Sequence, residues 1–391
     1  MAKIISKFNL FETFEITASA TRWILPASVM IYAESGAAIV EDGTHADNQI
    51  QLDGRVISSD TYGVDSDGAS TDIFIGAQGA VVGVEAAIIT SGANESIINL
   101  GTIDGRNSGI SSEGESLLVD NSGAIGGENG VSFGSAGGDI INRETGIISG
   151  ETAIMTDTSG GQTVKTVNDG RLVGSFAYAA NGEGRDVIIN RGIINGGIML
   201  GEGDDSFNNI GGKFKGDIDG GVGSDTYTVD SQSVQIVEAA NDAGIDTVRS
   251  TVSYILGNGL EDLILLRKGK FDGTGNALDN ILTGSAGKNS LDGKGGDDTL
   301  DGGKGNDILT GGQDVDVFVF KTGDGRDRIT DFDGLVDRLD LSGMNGIADF
   351  RDLKLNHIVT AEDSITIIDG TDEIVLEGMT KAQLTYQHVD F

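Results

Sequence analysis

From about residue 50 to 215 the chain repeats one phrase: an apolar pair, Asn, one or two residues, Gly, any residue, then Ile or Val. It reads IINLGTI at 97–103, VDNSGAI at 119–125, INRETGII at 141–148, VNDGRLV at 167–173 and IINRGII at 188–194. Looser copies are LDGRVI at 52–57, GAQGAVV at 76–82 and NNIGGKF at 208–214. The recurring glycines are Gly54, Gly79, Gly101, Gly123, Gly146, Gly170, Gly192 and Gly212, spaced 20 to 25 residues apart. Short β-branched runs separated by Gly/Asn turns at a period near 22 predict one coil of a parallel β-solenoid, a shape in which each coil buries its apolar face only against its neighbours. Asn99, Asn121, Asn142, Asn168 and Asn190 hold equivalent places before the glycine. They are expected to form an inward or turn-lining ladder that satisfies backbone groups.

A stricter pattern starts at Gly275, where the chain can be cut every nine residues: GNALDNILT, GSAGKNSLD, GKGGDDTLD, GGKGNDILT, GGQDVDVFV. The sixth position is Asn280, Asn289, Asp298, Asp307 and Asp316, and the eighth is Leu282, Leu291, Leu300, Leu309 and Phe318. Each unit reads as a glycine-rich turn followed by a short strand whose eighth residue points inward. If two units complete a coil, turns 18 residues apart stack on one edge, pairing Asp298 with Asp316 and Asn289 with Asp307. A cation between such turns meets carbonyl oxygens from both, plus a side-chain oxygen from each. Six or seven oxygens at about 2.3–2.6 Å suit Ca²⁺, whereas Mg²⁺ demands a stricter octahedron. Asn at 280 and 289 keeps an oxygen but loses the charge, so those turns are expected to bind more weakly. The same turn occurs outside the array, in GEGRDVI (Asp186), GEGDDSF (Asp205), GGVGSDTYT (Asp225) and TGDGRDRIT (Asp327).

Composition narrows the functional classes. The chain has 391 residues, 61 acidic against 26 basic, for a formal charge of −35. A phosphate backbone or an anionic membrane surface would be repelled, while cations are attracted. With 62 glycines, 1 proline and no Gly-X-Y period, neither a helical bundle nor collagen fits. The absence of cysteine excludes disulfides and thiolate metal sites. No apolar run is long enough for a transmembrane helix or an N-terminal signal peptide, so export is expected to use another address.

At these residues the chain resembles the RTX (hemolysin-type) calcium-binding proteins. The nine-residue units carry the resemblance, together with the segment 234–266, which is similar to the spacers that separate RTX arrays. The tail, FVFKTGDGRDRITDFDGLVDRLDLSGM at 318–344 with DEIVLEG at 372–378 and LTYQHVDF at the end, is similar to C-terminal modules of type I secreted proteins such as serralysins. The resemblance covers roughly residues 180–391. It implies secretion of an unfolded chain through the type I machinery on an uncleaved C-terminal signal, with folding on extracellular calcium. The family's ligand pattern takes the second, fourth and sixth positions of one turn with the first, third and sixth of the turn one coil on. It thereby implies one site from Lys294, Gly296 and Asp298 with Gly311, Gln313 and Asp316. A second joins Ser285, Gly287 and Asn289 to Gly302, Lys304 and Asp307. A third joins Gly303, Gly305 and Asp307 to Thr322, Asp324 and Asp327. A fourth joins Gly201, Gly203 and Asp205 to Gly220, Val222 and Asp225, and Gly182, Gly184 and Asp186 form a further turn. Asp314 stands where the pattern has glycine.

The expected architecture is therefore all-β: a parallel β-solenoid, or β-helix, followed by an RTX parallel β-roll and a C-terminal β-rich cap. The expected divisions are an N-terminal cap or assembly segment at 1–45, the solenoid at 46–230 and a spacer at 231–272. The β-roll follows at 273–320 and the capping and secretion module at 321–391. Trp23, with Phe8, Phe11 and Phe14, reads as part of the cap or a docking surface. There is no H-E-x-x-H and no G-x-S-x-G, and His45, His357 and His388 are scattered. Tyr62, Gly63 and Asp65 resemble an alginate-epimerase phrase that lacks its following Pro-His, so a turn is the preferred reading there and a polysaccharide-modifying enzyme the alternative. The preferred function is a non-enzymatic, secreted, calcium-binding structural protein that self-assembles as a surface-layer, biofilm-matrix or adhesin component. Its expected partners are calcium, the type I secretion machinery, further copies of itself and cell-surface polysaccharide.

Overall fold

A computed structural model describes residues 2–5, 12–135, 137–159, 161–239 and 243–391. The chain divides into two compact units, Met1–Gly223 and Ser224–Phe391. Both are built almost wholly from short parallel strands wound into coils, so the chain is a β-solenoid. No helix among the described residues is long and apolar enough to cross a membrane.

In the first unit each coil has three strands. Ser96–Asn99, Thr102–Gly105 and Ser108–Ser112 make one coil, and Leu117–Asn121, Ala124–Gly126 and Asn129–Phe133 the next. Successive coils pair in register, with Ile97 on Val119, Ile103 on Ile125 and Ile110 on Val131. Those six side chains are buried, so each inward position becomes a column of aliphatic contacts running through the unit. The glycine period has a steric cause. A Cβ on Gly101 would lie 2.3 Å from the Gly79 carbonyl oxygen, and one on Gly123 would lie 2.2 Å from that of Gly101. Coils can approach to strand-pairing distance at that corner only without a side chain.

Stacking starts ahead of residue 46, which corrects the N-terminal boundary. Arg22–Leu25, Met30–Ala33 and Ile39–Glu41 form a full coil beneath Gln49–Leu52, Arg55–Ser58 and Tyr62–Ser66. Ala2–Ile4 pairs with Arg22–Ile24, and Phe14–Ile16 with Ile39–Glu41. Trp23 is consequently a core residue: it is buried, edge-on to Phe14 at 5.5 Å, with the Lys3 ammonium 4.4 Å from its ring centre. Phe8 and Phe11 lie outside the described residues. Tyr62 and Asp65 sit on a paired strand rather than in a turn, because Tyr62–Ser66 is held between neighbouring coils.

In the second unit the coils are flatter, with two strands each. Thr299–Asp301 lies between Ile281–Thr283 and Val317–Lys321 on one face. Ser290–Gly295 lies between Asp272–Thr274 and Ile308–Gln313 on the other. Leu300 pairs with Phe318 and Leu291 with Leu309, so two nine-residue units complete one coil. The segment read as a spacer supplies coils of the same stack, since Thr247–Ser250, Asp262–Leu265 and Ile281–Thr283 pair in succession. The stack closes with Arg338–Gly343, paired on one side with Val317–Lys321 and on the other with Val389–Asp390. On the second face Asp372–Glu377 pairs with Arg326–Ile329 and continues into an antiparallel sheet through Ser364–Asp369 and Ile358–Thr360.

Candidate metal centre

The nine-residue units bring their sixth residues into two columns at the start of the inward strands. Along one column the Asn280 amide donates to Asp298 Oδ1 at 2.7 Å, the Asp298 amide to Asp316 Oδ1 at 3.1 Å, and the Asp316 amide to Asp337 Oδ1 at 3.0 Å. Along the other, the Asn289 amide donates to Asp307 Oδ1 at 2.7 Å and the Asp307 amide to Asp327 Oδ1 at 2.8 Å. One carboxylate oxygen of each aspartate thus locks the coil before it. The second oxygen of Asp298 and of Asp307 is buried and makes no hydrogen bond. A buried carboxylate oxygen without a donor is costly unless a cation or a proton meets it.

Those second oxygens face an oxygen-lined cradle. A Cβ on Gly293 would fall 2.1 Å from Asp298 Oδ2 and 2.6 Å from the Gly311 carbonyl oxygen. At Gly311 it would fall 2.1 Å from Asp316 Oδ2, and at Gly302 2.7 Å from Asp307 Oδ2. The Asn turns are different. Asn289 Oδ1 accepts the Ser285 amide at 2.7 Å and its Nδ2 donates to the Phe271 carbonyl at 2.7 Å. Asn280 likewise accepts from the Asn276 amide and donates to the Leu260 carbonyl. Asparagine completes its turn with hydrogen bonds alone, while aspartate leaves an oxygen over.

Burial is the main cause that pushes the column carboxyls up, to about 7 for Asp298 and Asp327 and to about 6 for Asp307 and Asp316. Neighbouring acids add to it: Asp316 acts on Asp298, and Asp324 on Asp307. All donors at these turns are carboxylate or carbonyl oxygens, the set a hard cation such as calcium prefers. The residues present fit that ion.

The backbone of the turns matches between coils. Lys294 and Gly312, one coil apart, both have positive φ, as do Gly296 and Asp314. Asp314 therefore adopts the left-handed conformation that glycine holds in the coil before. Gln313 stacks on Gly295 in the same turns. Gly303 also has positive φ, and beside it Lys304 is carried in the turn that joins Thr299–Asp301 to Ile308–Gln313. The turn at 322–327 sits on the one at 303–307, with the Gly305 amide on the Asp324 carbonyl at 2.6 Å. A Cβ on Gly305 would meet the Gly287 carbonyl oxygen at 2.1 Å, which brings the turn at 285–289 into the same stack.

In the first unit Gly201 and Gly203 have positive φ, as do Gly221 and Gly223, and Glu202 bridges to Val222. The Val222 amide donates to the Gly201 carbonyl, and the Asp186 amide to Asp205 Oδ1 at 2.6 Å. Gly220 precedes the upper of these turns, and Gly182 accepts from the Glu202 amide. Asp186 itself is engaged from within the coil. Tyr178 donates its hydroxyl to Oδ1 and Thr156 donates to Oδ2, so the Gly182–Gly184–Asp186 turn directs its carboxylate into the core. Asp225 belongs to the second unit, where one of its carboxylate oxygens lies within 4.8 Å of one from Glu238 and one from Asp246.

Several acidic residues that complete these columns were not singled out from the sequence. Asp246, Asp331, Asp337 and Asp372 all accept amides of neighbouring turns. Asp246 and Asp337 do have a signal. Each is followed two residues later by a buried apolar side chain, Val248 and Leu339, in the same D-x-U phrase as Asp298 and Leu300. Asp372 carries the same phrase with buried Ile374, whereas Asp331 is followed two residues later by Asp333 and carries no such mark.

Comparison with known proteins agrees with this geometry. The model of the RTX calcium-binding nonapeptide repeat (4 copies) matches residues 274–309 and 283–318. No curated protein matches the chain. Those repeats, set in stacked parallel coils, make this an RTX-type calcium-binding array within a β-solenoid chain.

Proposed function

We propose that this calcium-binding structural protein is secreted, takes its final form on extracellular calcium, and self-assembles as a component of a cell-surface layer or matrix. The observation that carries the reading is the pair of buried oxygens on Asp298 and Asp307 that lack a donor. Without a cation these columns hold like charges one coil apart, and the metal-free chain is driven toward expansion. Calcium binds only the stacked form and stabilises it by mass action. Extracellular calcium modules bind with a Kd of about 10⁻⁴ to 10⁻³ M, above free calcium in the cytosol. The coils that carry these acid columns therefore stay open before export through a type I channel and close after it. Strands stacked in parallel offer unpaired edges to further copies, and a head-to-tail contact of that kind grows into filaments or sheets.

The test is far-UV circular dichroism during a calcium titration, paired with particle size and with electron microscopy before and after EDTA. The expected result is a cooperative gain of β signal followed by growth of particles, both reversed by chelation. Calcium-independent monomers at high concentration would overturn assembly. A full β signal that survives exhaustive chelation would overturn the folding switch.

A further inference from the structure

Away from the calcium turns, one interior corner of the first unit holds two carboxyl groups. Glu41 ends the strand Ile39–Glu41 and is 0% exposed; Glu95, two coils on, is 2% exposed. Asn48 Nδ2 and Thr71 Oγ1 both donate to Glu41 Oε1, at 2.5 and 3.0 Å. The Ser66 hydroxyl lies between the two acids, 2.8 Å from Glu41 Oε2 and 2.8 Å from Glu95 Oε1. Asn48, Ser66 and Thr71 are all fully buried.

The proton count at Ser66 decides the chemistry. A hydroxyl has one hydrogen and cannot donate to two carboxylates, yet it sits at hydrogen-bonding distance from both. The arrangement closes if Glu95 carries a proton on Oε1 and donates it to Ser66 Oγ, while Ser66 donates its own hydrogen to Glu41 Oε2. Glu41 then accepts three hydrogen bonds as a carboxylate. Two carboxylates buried in one corner would repel at low dielectric, and one shared proton halves the charge. We infer that this Glu41–Ser66–Glu95 relay is a binding site for a single proton, which the folded N-terminal coils hold and the unfolded chain releases.

Other charges near the relay point away from it. Asp42, Asp47, Asp67 and Asp72 on the turns that carry it are exposed, and His45 pairs with Asp42 at the surface. On the neighbouring coil Glu113 and Glu115 are exposed, and Asp65 lies half-buried on the outward face of its strand. Burial is the main cause that raises the Glu95 carboxyl to about 7 from 4.5, and the charge on Glu41 adds to it. Because the folded state holds the proton more tightly, the stabilisation is present at low pH. It is lost as pH rises through about 7.

The single tryptophan, Trp23, lies in the first described coils and reports their unfolding in the full chain. Urea unfolding followed by Trp23 fluorescence is compared for the natural chain and Glu95→Gln at pH 5 and pH 8, in EDTA and in excess calcium. The unfolding constant of the natural chain is expected to rise on the order of 100-fold from pH 5 to 8, with that added dependence missing in Glu95→Gln, whose amide still donates to Ser66. Infrared difference spectra in calcium give a second readout, a protonated-carboxyl band present at pH 6, lost above pH 8 and missing from Glu95→Gln. Parallel pH profiles for the two chains would overturn the proposal. So would abolition of the dependence and of the band by calcium, which would mean that a metal ion, not a proton, occupies the corner.

Discussion

Asp372 reaches back 47 residues to accept the Gly325 amide through Oδ1 at 3.1 Å, and its Oδ2 accepts the Gly323 amide at 2.8 Å. An acid from the C-terminal sheet therefore fixes the turn that carries Asp324 and Asp327. Asp372 is 5% exposed, so these charge-assisted bonds are shielded from water. The C-terminal sheet and the turn at 322–327 are thereby tied together.

Replacing Asp372 with Asn puts an amide against donors and removes the charge. Loss of a buried charge-assisted bond costs about 1.5–3 kcal/mol. Asp372→Asn is expected to weaken calcium binding at the 303–307 and 322–327 turns by about tenfold or more, read by isothermal titration calorimetry. An unchanged isotherm would show that the turn is formed without the latch.

Asp298→Asn and Asp307→Asn are expected to act with opposite sign in the two metal states. Asparagine at 280 and 289 already closes its turn by hydrogen bonds, so in EDTA each substitution removes a buried orphan oxygen and raises stability by about 1–3 kcal/mol. With millimolar calcium the same variants lose a charged ligand and become less stable than the natural chain. Thermal melts in both buffers check the crossing, and variants less stable in EDTA as well would count against the cradle.

The asparagine ladder should be the main polar support of the first unit. Asn99, Asn121, Asn142 and Asn168 each donate Nδ2 to Oδ1 of the next, at 2.7–2.8 Å, and Asn190 donates on to Asn209 at 2.6 Å. Asn142→Ala would strand buried partners above and below. A loss of about 2–4 kcal/mol is expected in urea unfolding, whereas the same change at exposed Asn195 should cost little.

Chelation is expected to divide the molecule. The first unit rests on aliphatic columns and the ladder, and the second on columns that include the orphaned aspartate oxygens. In EDTA the β signal should fall in part while Trp23 keeps the emission of a buried indole. A Trp23 shift that tracks calcium release would show instead that the coils of the first unit depend on the metal.

Repetition explains which features could be read directly. In a solenoid every coil offers the same environment, so a requirement such as no Cβ at Gly101 and Gly123, or an inward amide at Asn121 and Asn142, returns at a fixed interval and becomes visible as a pattern. The nine-residue spacing fixed the pairing of Leu300 with Phe318, and with it the Asp298–Asp316 column. Asn209 extended the ladder beyond the five asparagines read from the repeat, because its neighbourhood, NNIGGKF, only weakly keeps the phrase.

Order along the chain determined the solenoid, its period, the acid columns and the chemistry of the ion they suit. Tertiary structure alone decided where coils begin, that Trp23 is core, that Asp186 turns inward to Tyr178, and that Glu41 and Glu95 meet across Ser66. It also set Asp372 on the turn of Gly323 and Gly325. The physical reason is that these contacts occur once. A periodic contact is imposed on every coil and leaves a recurring residue, while a single contact joins positions 8, 29 or 47 residues apart that no repeat marks.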